Sequence, residues 1–220
     1  MNARIWEELI NSFTKLLIPG IKVTIPLTVL SFSIGIMIAL IVALIQIANV
    51  KVLKQIVRFY VWIIRGTPMI VQLFVVYFGL PSIGITLKPF PSAVLVFSFS
   101  VGAYCSETIR AAIESVPIGQ FEAGQCIGMT FPQIMRRIVL PQALSTAFPP
   151  LSNSLIGLVK DTSLAYSVAI VEILATAQRI AARTYDYFWL YCEAGLIYLI
   201  ICTILNYIQR RTERYLERKR

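Results

Sequence analysis

Five stretches of this 220-residue chain run for about the thickness of a lipid bilayer with one charged residue among them. Residues 23–48, 66–87, 89–106 and 138–159 hold no Asp, Glu, Lys or Arg, and residues 187–209 hold only Glu193. Roughly 20 apolar residues cross the hydrocarbon core as a helix, and within that core each backbone amide and carbonyl must be satisfied inside the protein. The expected fold is therefore an all-α polytopic membrane protein with about five transmembrane helices. Hydrophobic residues make up 57% of the chain and charged ones 14%, against roughly 25% charged in soluble domains. The connections are too short for a second domain. One membrane domain is expected over 1–220, divided into an amphipathic helix at 1–18, a transmembrane core at 20–208 and a basic tail at 209–220.

At the amino terminus, Ile5, Trp6, Leu9, Ile10, Phe13, Leu16 and Leu17 recur at helical spacing, with Glu7, Glu8, Asn11 and Lys15 opposite. This reads either as a helix lying in the membrane interface or as an extension of the first span, and Pro19-Gly20 is expected to break it. No small-residue cleavage pattern follows a short apolar core, so the segment is expected to stay in the mature chain. The four cysteines stand singly and the chain has no histidine, which removes metal and disulfide readings. No catalytic constellation and no nucleotide-binding Gly-rich loop is present, so a membrane enzyme or a self-powered pump is disfavoured. An ion channel or open pore remains an alternative. The net charge of +9 is better placed on a basic fringe facing anionic lipid than on a nucleic-acid surface.

Between the third and fourth runs lies a helical elbow. Pro117 and Gly119 release a short helix from about Gln120, and Gly128 stands where a left-handed residue would end it. Thr130-Phe131-Pro132-Gln133 then fits a capping box that opens the next helix. The residues Glu122-Ala123-Gly124, then Gly128, then Ile138-Val139-Leu140-Pro141 carry the spacing of the EAA loop that this segment resembles, a cytoplasmic feature of ABC-transporter permeases. The third position is Gly124 where the family pattern has alanine, which weakens the helix by about 1 kcal/mol. The resemblance implies that Glu122, Ala123, Gly124, Gly128, Met129 and Thr130 dock on an ATP-hydrolysing subunit and couple it to the membrane domain.

Arg65-Gly66-Thr67-Pro68 with Gln72, Tyr104-Cys105-Ser106-Glu107-Thr108-Ile109-Arg110 and Lys160-Asp161-Thr162-Ser163-Leu164 narrow the resemblance to the polar amino acid uptake branch, over roughly residues 20–207. That resemblance implies two ATPase subunits, a second permease identical or paralogous, and an extracytoplasmic solute-binding protein. The chain itself needs no cofactor, with magnesium-ATP on the partner. With the elbow placed inside, twelve Lys and Arg fall on the cytoplasmic side and seven outside. The positive-inside rule then sets the amino terminus outside and the carboxy terminus inside, in a bacterial-type plasma membrane.

Within the spans, polar residues need a partner, water or a cavity. Glu107 either staples its helix end to Arg110 or faces the solute. Pro149-Pro150 beside Ser152, Asn153 and Ser154 is expected to break the fourth span and line part of the solute site, the alternative being a purely structural kink. Asp161-Thr162-Ser163 either receives solute or caps the following helix, a short re-entrant or surface piece over 162–171. The expected substrate set is Gln72, Tyr104, Glu107, Asn153, Ser154, Asp161 and Ser163. Acids at Glu107, Asp161, Glu172 and Glu193 tilt the expected solute toward a basic amino acid such as arginine, lysine or histidine, with glutamine or another zwitterion as the alternative.

Overall fold

The computed structural model describes residues 3–48 and 50–218, and every regular element among them is helical. Lys219 and Arg220 of the expected tail, and the side chain of Arg4, lie outside the described residues. α1 (Ala3–Pro19) and α2 (Ile25–Ala48) are joined by a π turn at Gly20–Thr24, so Trp6–Ala48 is one helix of 43 residues. Pro19-Gly20 therefore does not break the chain as expected. Proline removes one amide from the ladder, and a turn widened until the Ile25 N–H bonds the Gly20 carbonyl absorbs that loss along the same axis. α1 also has a tertiary anchor. Leu16 is fully buried against Ile173, Ala177, Ala194 and Ile197, and the Ser12 hydroxyl donates to the Glu193 carboxylate.

Next come α3 (Lys51–Gly66) and α4 (Met69–Phe74), the latter extended by a π turn at Val75–Gly79 and a 3-10 turn at Leu80–Ile83, and the two directions differ by 106°. The uncharged run 66–87 is thus not the second span by itself. Thr67 precedes a proline, a position biased away from helical backbone, and sits extended at φ −123°, ψ 145°, which makes the corner. The Gln72 side-chain amide braces that corner, donating to the Ile64 carbonyl at 2.9 Å and to the Thr67 hydroxyl at 2.8 Å. Among the described residues, three helices are long and apolar enough to cross a membrane, or up to five when each bent pair counts as one span, in agreement with the expected number.

α5 (Pro89–Glu114) is the central column. Ser92, Ala93, Phe97, Ser98, Ala103, Cys105 and Ser106 are almost wholly enclosed, and the small members let neighbouring backbones approach. The tightest approach is to α2 at Gly35, where an added Cβ would stand 2.5 Å from Val101 and 3.0 Å from the Ser98 carbonyl.

After the elbow, formed by α6 (Ile118–Cys126) and α7 (Phe131–Ile134), a π turn leads into α8 (Leu140–Asp161). α8 is helical through Pro149 and Pro150, against the expected break. The carbonyls whose helical amide donor the two prolines remove are those four residues back, at Ser145 and Thr146, rather than on the 152–154 side. The chain then tightens into a 3-10 turn at Thr162–Val168, bends by 52° and continues as α9 (Ile173–Thr184) and α10 (Tyr187–Glu217). α8 and α10 run antiparallel, pairing Asn153 with Gln209 and Val159 with Cys202. Leu216 lies beside Ser115, Pro117 and Gln142, so the end of α10 shares a face of the bundle with the elbow.

Candidate functional site

A polar face interrupts the apolar bundle along the lower half of α5, on the side of the elbow. Glu107 is its centre. Its carboxylate accepts from Arg110 at 2.8 Å and from the Gln46 side chain of α2 at 3.0 Å, while Arg110 also donates to Glu114 at 2.7 Å. One turn nearer the middle, the Arg65 guanidinium of α3 lies over the Tyr104 ring at 5.3 Å, and Tyr104 is half exposed. Gln46 is buried, yet its side-chain oxygen has no hydrogen-bond donor among the described residues. Sequence reading passed over Gln46 although it is the last polar side chain in a 26-residue uncharged run, which was the signal available. Two cations and two carboxylates thus gather on one face, where a group bearing both signs can be held in register.

The remaining expected substrate residues fall into separate places. Ser154 faces Cys105 across the α5–α8 contact and donates to the Pro150 carbonyl at 3.0 Å. Asn153 accepts from Gln209 of α10 at 3.1 Å. Gln72 braces the α3–α4 corner. Asp161 ends α8 and makes no side-chain cap for the following turn, so the expected N-cap does not form there. It and Ser163 belong to the far end of the bundle, where Ala165 and Val168 pack around Leu73 of α4.

Two acids are committed elsewhere. Glu172 is fully buried and is the N-cap of α9, accepting from Leu174 N–H at 2.9 Å and Ala175 N–H at 2.7 Å as well as from the Tyr198 hydroxyl. Glu193 is bound by Ser12 beneath α1. Neither belongs to the polar face around Glu107, which removes half of the argument for a cationic solute.

The elbow has the local geometry its sequence requires. Gly128 sits at φ +76°, donates to the Gln125 carbonyl at 2.9 Å, and lets Met129 N–H reach back to the Gly124 carbonyl at 3.0 Å. These are the two bonds of a Schellman stop. Two residues later Thr130 opens α7, its N–H donating to the Gln133 side chain at 2.8 Å within a capping box. Gly124 faces inward, and a methyl group on it would lie 2.8 Å from Ile134. Glu122 and Ala123 face outward. Ile118, Ile127 and Phe131 do so as well, at 71%, 77% and 62% exposure, an apolar patch that a merely solvated loop has no reason to carry.

The profile of a family described as binding-protein-dependent transport system inner membrane component matches residues 12–218. The chain is 49% identical over 214 residues to the L-cystine transport system permease protein TcyB of Bacillus subtilis (strain 168), covering 97% of this chain and 92% of that protein. It is 37% identical over 221 residues to the probable amino-acid ABC transporter permease protein YckA of the same organism, covering 97% of each. Among solved structures, one described as an amino acid ABC transporter with histidines superposes with a TM-score of 0.89 at 31% identity, covering 98% of this chain and all of that one.

Proposed function

This chain belongs to the family of binding-protein-dependent transport system inner membrane components, and we propose that it is the permease subunit of an ATP-driven importer whose solute is a zwitterionic amino acid, L-cystine first among them. One observation carries the reading of the solute: the face around Glu107 combines Arg65 and Arg110 with Glu107 and Glu114. An α-carboxylate and an α-ammonium need both signs, and a buried acceptor at Gln46 adds a place for an N–H donor. Relatedness to a permease named for L-cystine supports the choice within the zwitterions.

In this reading a pair of ATPase subunits docks on Ile118, Glu122, Ile127 and Phe131 of two permeases, and an external solute-binding protein delivers the amino acid. Closure of the ATPases moves the elbow as a rigid lever, because caps at both helix ends leave it little freedom to bend. The elbow and the end of α10 are cytoplasmic and the amino terminus is outside.

Two measurements test this. In liposomes holding the assembled transporter and its solute receptor, labelled L-cystine is taken up and excess arginine does not compete; arginine uptake without cystine uptake overturns the solute assignment. Cys126 is exposed on the elbow. With Cys105, Cys192 and Cys202 replaced by serine, a membrane-impermeant maleimide labels it in inside-out vesicles and not in intact cells, and the opposite pattern overturns the orientation.

A further inference from the structure

The last turns of α10 form a cleft of their own. Tyr207, Arg211, Arg214, Tyr215 and Arg218 recur at i, i+4, i+7, i+8 and i+11, one stripe of the helix, and together line a space of about 450 Å³. We propose that this cleft is a binding site for the headgroup of an anionic phospholipid.

The position of the stripe argues for lipid. The 23 residues 187–209 carry one charge and span about 34 Å as a helix, enough for the hydrocarbon core. Tyr207 therefore comes at the edge of the apolar zone, where amphipathic rings collect, and Arg211 follows one turn beyond, at the depth of the phosphates. The guanidinium of Arg211 already lies 5.1 Å over the Tyr207 ring, which orients its plane. Arg214, which lines the cleft, donates its Nε–H to the Arg210 carbonyl at 3.3 Å, which fixes its guanidinium while its terminal N–H groups stay available. Two oriented forks and Arg218 supply the bidentate donors that suit a phosphodiester. The nearby carboxylate of Glu213 is engaged by Gln209 at 2.9 Å and is not among the groups lining the cleft. Tyr207 at the membrane end of the stripe, with Tyr215 next to Arg214, gives the lipid an apolar border that a free phosphate would not use.

Native mass spectrometry of the full-length chain, released from detergent with added phosphatidylglycerol or phosphatidylcholine, tests the assignment. One phosphatidylglycerol per chain is retained, and the double variant Arg211→Gln/Arg214→Gln retains it at least tenfold more weakly. Phosphatidylcholine is held weakly by both proteins. The variant Arg179→Gln/Arg183→Gln, which removes the same charge from exposed positions of α9, keeps the lipid. Equal retention by the stripe variant and the parent overturns the proposal, as does equal loss in the α9 variant. Displacement of the lipid by millimolar inorganic phosphate would mark a bare anion site and also overturns it. So does loss of a co-purifying ATPase subunit at unchanged lipid retention, which would assign the stripe to a protein partner.

Discussion

If the proposed function holds, Glu107 and Arg110 form a charged pair that is weak in stability and decisive for uptake. Both side chains are about one-third exposed, so their attraction contributes well under 1 kcal/mol to folding. Glu107→Gln should leave the thermal midpoint of the purified complex within experimental scatter while lowering solute uptake at least tenfold, and a matched fall in both would return the pair to a structural staple. Gly35 behaves in the opposite way. A methyl group there meets Val101 and a backbone carbonyl together, so Gly35→Ala should destabilise the α2–α5 contact by about 1–3 kcal/mol, visible as a lower unfolding temperature in detergent. Single residues also explain what the sequence left unread. Gln46 is one amide among apolar neighbours, and nothing local says that its partner is 61 positions away.

At the scale of elements, what could be read was whatever is decided within one turn of chain. Gly128 at a left-handed position and the Thr130–Gln133 box are local chemistry, and both stand where their residues put them. Thr130→Ala should cost about 1 kcal/mol of helix stability, so the amides of Gln133 and Ile134 should exchange hydrogen about fivefold faster with the rest of the protein unchanged. What could not be read depended on packing. α3 has no counterpart among the uncharged runs because Lys51, Lys54, Arg58 and Arg65 interrupt its apolar pattern, although Val57 and Val61 are buried and long basic side chains can reach water from a helix with an apolar flank. Pro19 and Pro149-Pro150 were expected to break helices. A widened turn absorbs the first, and α8 carries the second pair within a continuing helix, with Ser145 and Thr146, one turn earlier, lining a cleft of mixed polar and apolar residues at the elbow side of the bundle. Pro68, by contrast, makes a corner. There the residue before proline is extended and Gln72 fills the freed hydrogen bonds.

For the whole molecule, the bundle places a polar face, a capped elbow and the basic end of α10 on the same side. α5 carries Glu107 and leads directly into the elbow, whose Ile134 and Ile138 pack back on Ala112, Ile113 and Val116 at the foot of that helix. A displacement of the elbow is thus passed to α5 through close-packed side chains. Gly124 is the point where α6 presses on this layer, so Gly124→Ala should gain helix propensity and lose fit at Ile134, slackening the transmission before it affects insertion. The most direct measurement is uptake and ATP hydrolysis read together in liposomes holding the assembled transporter, with and without Glu122→Lys. The variant should insert and fold, while solute uptake and solute-stimulated hydrolysis both fall at least tenfold. Undiminished uptake with normal stimulation would contradict the claim that this elbow links the ATPases to the passage.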